Sequence, residues 1–155
     1  MDVFRVSFFG HRVVSNMSIV EERLEVIVRE LIETVDYTEF LVGRNGEFDL
    51  LVSSVIRQVK KELYCSNSSL VLVLPYMTAE FRNNQESFYN YYDEIEICDK
   101  SKKAHFKAAM QIRNKGMVDR SDLVVCCIEH DSGGAFETVK YANRMNKKIL
   151  NIADI

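Results

Sequence analysis

The sequence predicts a Rossmann-like three-layer α/β sandwich with a mainly parallel sheet in strand order 4-3-2-1-5-6. Three observations lead there. Continuous apolar runs such as Leu70–Leu74 (LVLVL) and Leu123–Ile128 (LVVCCI) suit strands buried on both faces of a parallel sheet. Amphipathic stretches of helical period lie between such runs. Strand and helix alternate along the whole chain, with right-handed crossovers expected between parallel neighbours.

Val3–Phe9 (VFRVSFF) is rich in β-branched and aromatic residues, stops at Gly10, and reads as the first strand. Ser18-Ile-Val-Glu21 has the form of a capping box, with Val20, Leu24, Ile27, Val28, Leu31, Ile32 and Val35 following at helical spacing. Thr38–Val42 is the second strand, ending at Gly43. Asp49 is expected to cap the next helix, whose apolar face is Val52, Val55, Ile56, Val59 and Leu63. Leu70–Leu74 ends at Pro75, and a helix is expected at about 84–92. Glu94–Cys98 (EIEIC) alternates as a short edge strand, and Lys102–Met117 reads as a helix. After Leu123–Ile128, Gly133-Gly134 opens a helix with Val139, Ala142 and Met145 inward. Lys148–Ile152 is the last strand.

The 155 residues suit a single domain over 1–155, without repeats or a linker. Apolar residues make up 47% and charged residues 28%, ordinary values for a globular chain. No apolar run approaches membrane-span length and no signal-peptide pattern opens the chain. A cytoplasmic protein with no membrane partner is therefore expected. The net charge of −3 lacks the global basic field of a duplex binder, so nucleic acid is not the expected partner. Cys65, Cys98, Cys126 and Cys127 form no Cys-x-x-Cys pair and have no companion histidine spacing. They read as reduced cysteines used as small hydrophobes, without a metal.

In an open parallel sheet the ligand crevice lies beyond the carboxyl ends of the strands, where the order reverses. Here that is between strands 1 and 5. Two loops flank it, Gly10-His11-Arg12 and Asp131-Ser132-Gly133-Gly134. Glycine permits close approach of backbone to a ligand, and the helix starting at the second loop turns free N–H groups towards the crevice. Arg12 adds a cationic fork suited to phosphate. Gly43 and Arg44, after strand 2, extend the expected pocket, and Tyr76 supplies an aromatic wall for a base. Tight turns alone also explain these glycines. Gly-x-Gly-x-x-Gly, the Walker loop and Gly-x-Ser-x-Gly are all absent, which disfavours dinucleotide-dependent dehydrogenation, ATP hydrolysis and a serine nucleophile; no cofactor is expected. Glu137 is the main candidate for acid–base work, with His11, Glu129 and Asp131 behind it; an acidic residue is equally at home in a first helical turn. The aromatic run Phe88–Tyr92 reads mainly as helix packing, with self-association into a homo-oligomer as its other use.

The ordered set Ser7-Phe8-Phe9-Gly10-His11-Arg12, Gly43 to Asp49, Leu74-Pro75-Tyr76, Arg113-Asn114 to Asp122 and Ser132 to Ala142 resembles the YpsA/YspA-like branch of the SLOG superfamily over nearly the whole chain. That superfamily includes DprA and the Lonely Guy phosphoribohydrolases. The resemblance implies a Rossmann-like fold and a pocket for nucleotides or nucleotide-derived signals. It implies Gly10, Arg12, Gly43, Gly133, Gly134 and Thr138 as pocket residues. The chain departs from the Lonely Guy motif Pro-Gly-Gly-x-Gly-Thr-x-x-Glu at Ser132 and Phe136, and neither Val139 nor Lys140 supplies its glutamate. The expected function is binding or sensing of a phosphate-bearing, nucleotide-type small molecule. The alternative is a nucleotide-processing enzyme that cleaves an N-glycosidic bond with Glu137 as its catalytic group.

Overall fold

The computed structural model describes residues 2–101 and 104–154. Its sheet has six strands in the order β4-β3-β2-β1-β5-β6: β1 (Val3–Gly10), β2 (Tyr37–Val42), β3 (Ser68–Leu74), β4 (Glu94–Ile97), β5 (Leu123–Cys127) and β6 (Lys148–Asn151). Every neighbouring pair is parallel. Val6 lies opposite Leu123 and Gly10 opposite Cys127, so the ends of β1 and β5 emerge together. The helices are α1 (Met17–Thr34), α2 (Glu47–Leu63), α3 (Ala79–Asn83), α4 (Gln85–Tyr91), α5 (Phe106–Asp119) and α6 (Gly134–Arg144).

The two-residue period of a strand divides the core between the two faces of the sheet. Val6, Phe8, Phe40, Val42, Leu70 and Leu72 point to one face, against Leu24, Val28 and Ile32 of α1 and Val52, Ile56 and Val59 of α2. Phe9, Leu41, Val71, Val73 and Val124 point to the other, against Met117 and Val118 of α5 and Ala142 of α6. The central strands are apolar without alternation because both faces are covered. Each fully buried Phe or Leu contributes about 1.5–3 kcal/mol relative to exposure. The edge strands β4 and β6 stay partly exposed along their length, and β1 and β2 do so mainly in their first halves. Cys126 and Cys127 lie buried in β5, where burial pushes the Cys126 thiol up to about 12.

Several local expectations are corrected. The Ser18–Glu21 capping box does not form. Asn16 caps α1 from a left-handed conformation (φ 55°), and its carbonyl accepts from Ile19 and Val20 N–H, leaving Ser18 already in the first turn. Asp49 is not the cap of α2: Gly46 takes that position, and the Asp49 carboxylate reaches back from the first turn to the Asn45 N–H (2.8 Å). Helix α3 is additional, and Thr78 caps it by accepting from Phe81 N–H at 3.1 Å. The expected helix from Lys102 begins at Phe106, and residues 102–103 lie outside the described residues. In α6 the inward residues are Thr138 and Ala142. Met145 falls at the C-cap, 47% exposed, just before the chain turns through left-handed Asn146 (φ 57°).

Candidate functional site

The carboxyl ends of β1, β2 and β5 open into a cavity of about 710 Å³ bounded by α5 and the start of α6. Gly10, His11, Arg12, Gly43, Gly133, Gly134 and Glu137 all line it. The topology brings them together because β1 and β5 are neighbours while their following helices pack on opposite faces of the sheet.

The glycines serve three different purposes. A Cβ on Gly10 would lie 2.3 Å from Cγ of Phe48, so this glycine is required by the aromatic ring that packs beneath it. A Cβ on Gly43 would meet Nη1 of Arg113 and Oδ2 of Asp49, each at 3.0 Å, a buried guanidinium and a half-buried carboxylate that both line the cavity. Gly133 has open space around it but adopts φ 98°, ψ 170°, a region essentially restricted to glycine. That conformation starts α6 with its amino end at the cavity. Ser132 is exposed beside the rim and does not line the cavity.

Three further expected residues do not line the cavity. Arg44 bonds both carboxylate oxygens of Glu80 (3.0 and 3.2 Å) and Tyr92 Oη (2.9 Å), and its guanidinium lies 4.9 Å over the Phe88 ring. Burial opposes its charge, but the bonds to Glu80 and Tyr92 outweigh burial and hold it protonated. Thr138 is fully buried. Its hydroxyl donates to the Gly134 carbonyl (2.8 Å) and accepts from Asn114 Nδ2 (3.0 Å), which makes it a strut beneath the helix start. Tyr76 stands behind the rim, edge-on to Phe106 with ring centroids 6.4 Å apart.

Helix α5 supplies more of the lining than any other element. Arg113 is 4% exposed; it donates to the Val73 carbonyl (3.0 Å) and to Asn114 Oδ1 (2.9 Å). The Asn45 amide turns its oxygen to Arg113 Nη2 at 2.6 Å. Burial lowers the Arg113 pKa and raises that of Asp49, while each charge favours the other. This network ties β3, the loop after β2, α5 and, through Asn114 and Thr138, the start of α6 into one frame. Above it, Phe106 is 49% exposed at the rim and Met110 lines the wall. Lys107 and Lys115 of α5 and Arg144 of α6 line the same cavity as Arg12, and all four are exposed. Asp49 and Glu137 are the carboxylates among the lining residues. The basic residues at 107, 113 and 115 sit eight residues or fewer apart on one helix, a spacing in the sequence that could have signalled them.

Between the first and second glycine loops the rings of His11 and His130 stack at 3.7 Å, with an interplanar angle of 20°. His11 Nε2 accepts the Glu129 N–H (3.1 Å), and Ser15 donates to the Glu129 carboxylate. Burial first, and then His130, lowers the His11 pKa against a smaller opposite pull from Glu129. Among the described residues no group of three or more His, Cys, Asp or Glu is placed to hold a metal ion, and no helix is long and apolar enough to cross a membrane.

No protein-family model matches the chain, and no curated protein matches it. Among solved structures it is similar to DNA processing protein A (DprA) from Streptococcus pneumoniae, with a TM-score of 0.69 at 12% identity, over 95% of this chain and 49% of that one. It is also similar to DprA from Helicobacter pylori, described for its unique single-stranded DNA binding mode, with a TM-score of 0.66 at 13% identity, over 94% of this chain and 63% of that one. The chain thus spans about half to two thirds of these proteins. The class that the likeness defines is a Rossmann-like three-layer α/β fold with a parallel sheet. Within that class the fold is DprA-like.

This likeness corrects two expectations. A small-molecule nucleotide sensor, or an enzyme cleaving a nucleotide N-glycosidic bond, does not accord with a fold whose solved counterparts include a single-stranded DNA binder, and nucleic acid is not to be set aside as a partner. Net charge does not exclude such a partner. The total of −3 averages an acidic face of α1, carrying Glu22, Glu25, Glu30 and Glu33, with the basic lining of the cavity. A polyanion responds to the local field.

Proposed function

We propose that the cavity and its rim bind single-stranded nucleic acid. The observation that carries this reading is the set of four exposed cations, Arg12, Lys107, Lys115 and Arg144, converging on one cavity of a chain whose net charge is −3. A phosphodiester backbone is the ligand that rewards several cations along one groove, through counterion release. The glycine-opened end of α6 adds N–H donors for a phosphate oxygen. Phe106, half exposed and backed by Tyr76, offers a face on which an unpaired base stacks without regard to sequence. At about 710 Å³ the cavity has the size of an ordinary small-molecule pocket, so one segment of a flexible strand enters while the rest crosses the rim. Gly10, His11, Arg12, Gly133 and Gly134 are the nearest backbone and side-chain partners in this reading, and Gly43 and Thr138 hold the frame. The ordered motifs from Ser7 to Ala142 support placing the chain in the YpsA/YspA-like branch, with 1–155 acting as one domain.

The test is fluorescence anisotropy with a labelled oligothymidylate of about 15 nucleotides over a range of salt. Affinity should fall linearly on a log–log plot. Arg12→Ala and Lys107→Ala should each reduce the slope by about 0.7, the value for one phosphate contact on a single strand. Absence of binding at low salt, or an unchanged slope when all four cations are replaced in a folded variant, overturns the proposal.

A further inference from the structure

The two loops that frame the cavity are joined by one unusual contact. His11 follows Gly10 at the end of β1, and His130 follows Glu129 after β5; they are distant in sequence and stacked face to face at 3.7 Å. The hydrogen bond beside the stack has a definite proton requirement. His11 Nε2 accepts from the Glu129 backbone N–H, so that nitrogen carries a lone pair and the remaining ring proton sits on Nδ1. A proton from solvent on Nε2 would place a donor against a donor and a cation 3.7 Å from a second imidazole.

We propose that His11 and His130 form a proton-sensitive latch, closed when His11 is neutral, that sets the spacing of the two cavity loops and so couples strand binding to pH. This deepens the nucleic-acid reading and rests on it for the binding effect.

The groups around His11 come from three elements. Glu129 and His130 face it from the loop after β5, where the Glu129 carboxylate is occupied by Ser15. Arg12 adjoins it on its own loop, and Glu47 at the start of α2 holds that loop by donating its N–H to the Arg12 carbonyl and accepting the Val14 N–H. Burial and His130 oppose a proton on His11 more strongly than Glu129 favours one. The neutral ring therefore fits the closed loops best. The contact's stability is present above the ordinary histidine value of 6.5 and is lost as pH falls through that value towards the lowered one. Opening leaves the Ser15–Glu129 bond as a tie between the Arg12 loop and the loop that leads into Gly133 and Gly134, but removes the His11 contacts that fix their spacing, so the cations and N–H donors no longer share one geometry.

The direction of the effect on binding is distinctive. Simple charge attraction makes a polyanion bind more tightly as histidines gain protons. The latch makes it bind less tightly. In the free protein, the Glu129 amide resonance should move through a single transition with a midpoint below that of an ordinary histidine. His130→Ala should raise the midpoint and His11→Ala should abolish the transition. Oligothymidylate affinity should weaken about fivefold to tenfold between roughly pH 7.5 and 5.5, the loss of about one net hydrogen bond. His130→Ala, with circular dichroism as the folding control, should shift that loss to higher pH. A Glu129 amide that stays flat from pH 8 to 5 overturns the latch, whether or not the strand binds. Affinity that holds or rises on acidification, beside a titrating Glu129 amide, overturns its coupling to binding. A titrating amide with no strand binding at any pH supports the latch and overturns the nucleic-acid reading.

Discussion

At the scale of the residue, the same amino acid at Gly10, Gly43, Gly133 and Gly134 answers to different forces. Gly10 has no room because the Phe48 ring occupies it, whereas a Cβ on Gly134 would have its nearest neighbour, Gln111 Nε2, at 3.4 Å. Substitution should separate the two. Gly10→Ala forces a fully buried ring to move and is expected to destabilise by about 1–3 kcal/mol, read by urea unfolding. Gly134→Val should stay within roughly ±0.5 kcal/mol of the native stability, yet weaken oligothymidylate binding, because its added carbons stand in front of the helix N–H groups. Equal stability of the two variants would show that Gly10 is free to change. The sequence marks both glycines as close-approach sites; what approaches Gly10 is a side chain of the protein itself.

At the scale of the element, α6 is a short helix whose first turn borders the cavity. Glu137 stands there, exposed and lining the cavity. A carboxylate in the first turn stabilises the helix by about 0.3–1 kcal/mol, and the same charge repels a phosphate. Glu137→Gln should therefore bind oligothymidylate about twofold to fivefold more tightly at low salt, an electrostatic gain of the same size, while its unfolding midpoint drops slightly. Weaker binding in this variant would mean that the carboxylate touches the strand as an acceptor. The aromatic run around α4 illustrates the opposite outcome. Phe88 and Tyr92 are buried, packed on Phe81 and Tyr91 and covered by Arg44, and only Tyr89 is largely exposed at 58%. The run is spent mainly on fixing α3 and α4 to the sheet edge, which accounts for Arg44 facing away from the cavity.

At the scale of the whole molecule, the separation of charge matters more than its sum. The face of α1 with Glu22, Glu25, Glu30 and Glu33, which also carries Arg29, and the four cations at the cavity belong to different regions of the surface. Such a dipolar distribution steers a polyanion to one face and keeps it off another. Phe8 and Phe9 at the end of β1 are among the residues that line the cavity. A duplex of equal length should compete with labelled oligothymidylate at least tenfold less well, because its bases are stacked inside and cannot reach the rim aromatic. Equal competition by duplex would reduce the cavity to a patch of non-specific charge.

The alternation of buried strands and amphipathic helices was legible in the sequence because each strand's burial is written in its own run of residues. Leu70–Leu74 and Leu123–Ile128 need no partner to show that both their faces are covered, and strand order followed from that with the usual crossover rules. The meeting of Gly10-His11-Arg12 with Gly133-Gly134 was legible for the same reason, since it follows from topology. The Thr78 cap of α3 is a local signal too, one hydroxyl three residues ahead of the N–H it accepts from. What only the tertiary structure decided is where side chains turn and which charges gather. Arg44 faces Glu80, Thr138 faces Asn114, and Lys107, Lys115 and Arg144 join Arg12 across two helices. The stacking of His11 on His130 likewise exists only once β1 and β5 are neighbours. Net charge is a sum over the chain, whereas a polyanion reads a field in space, and that field depends on distances that no single stretch of sequence contains.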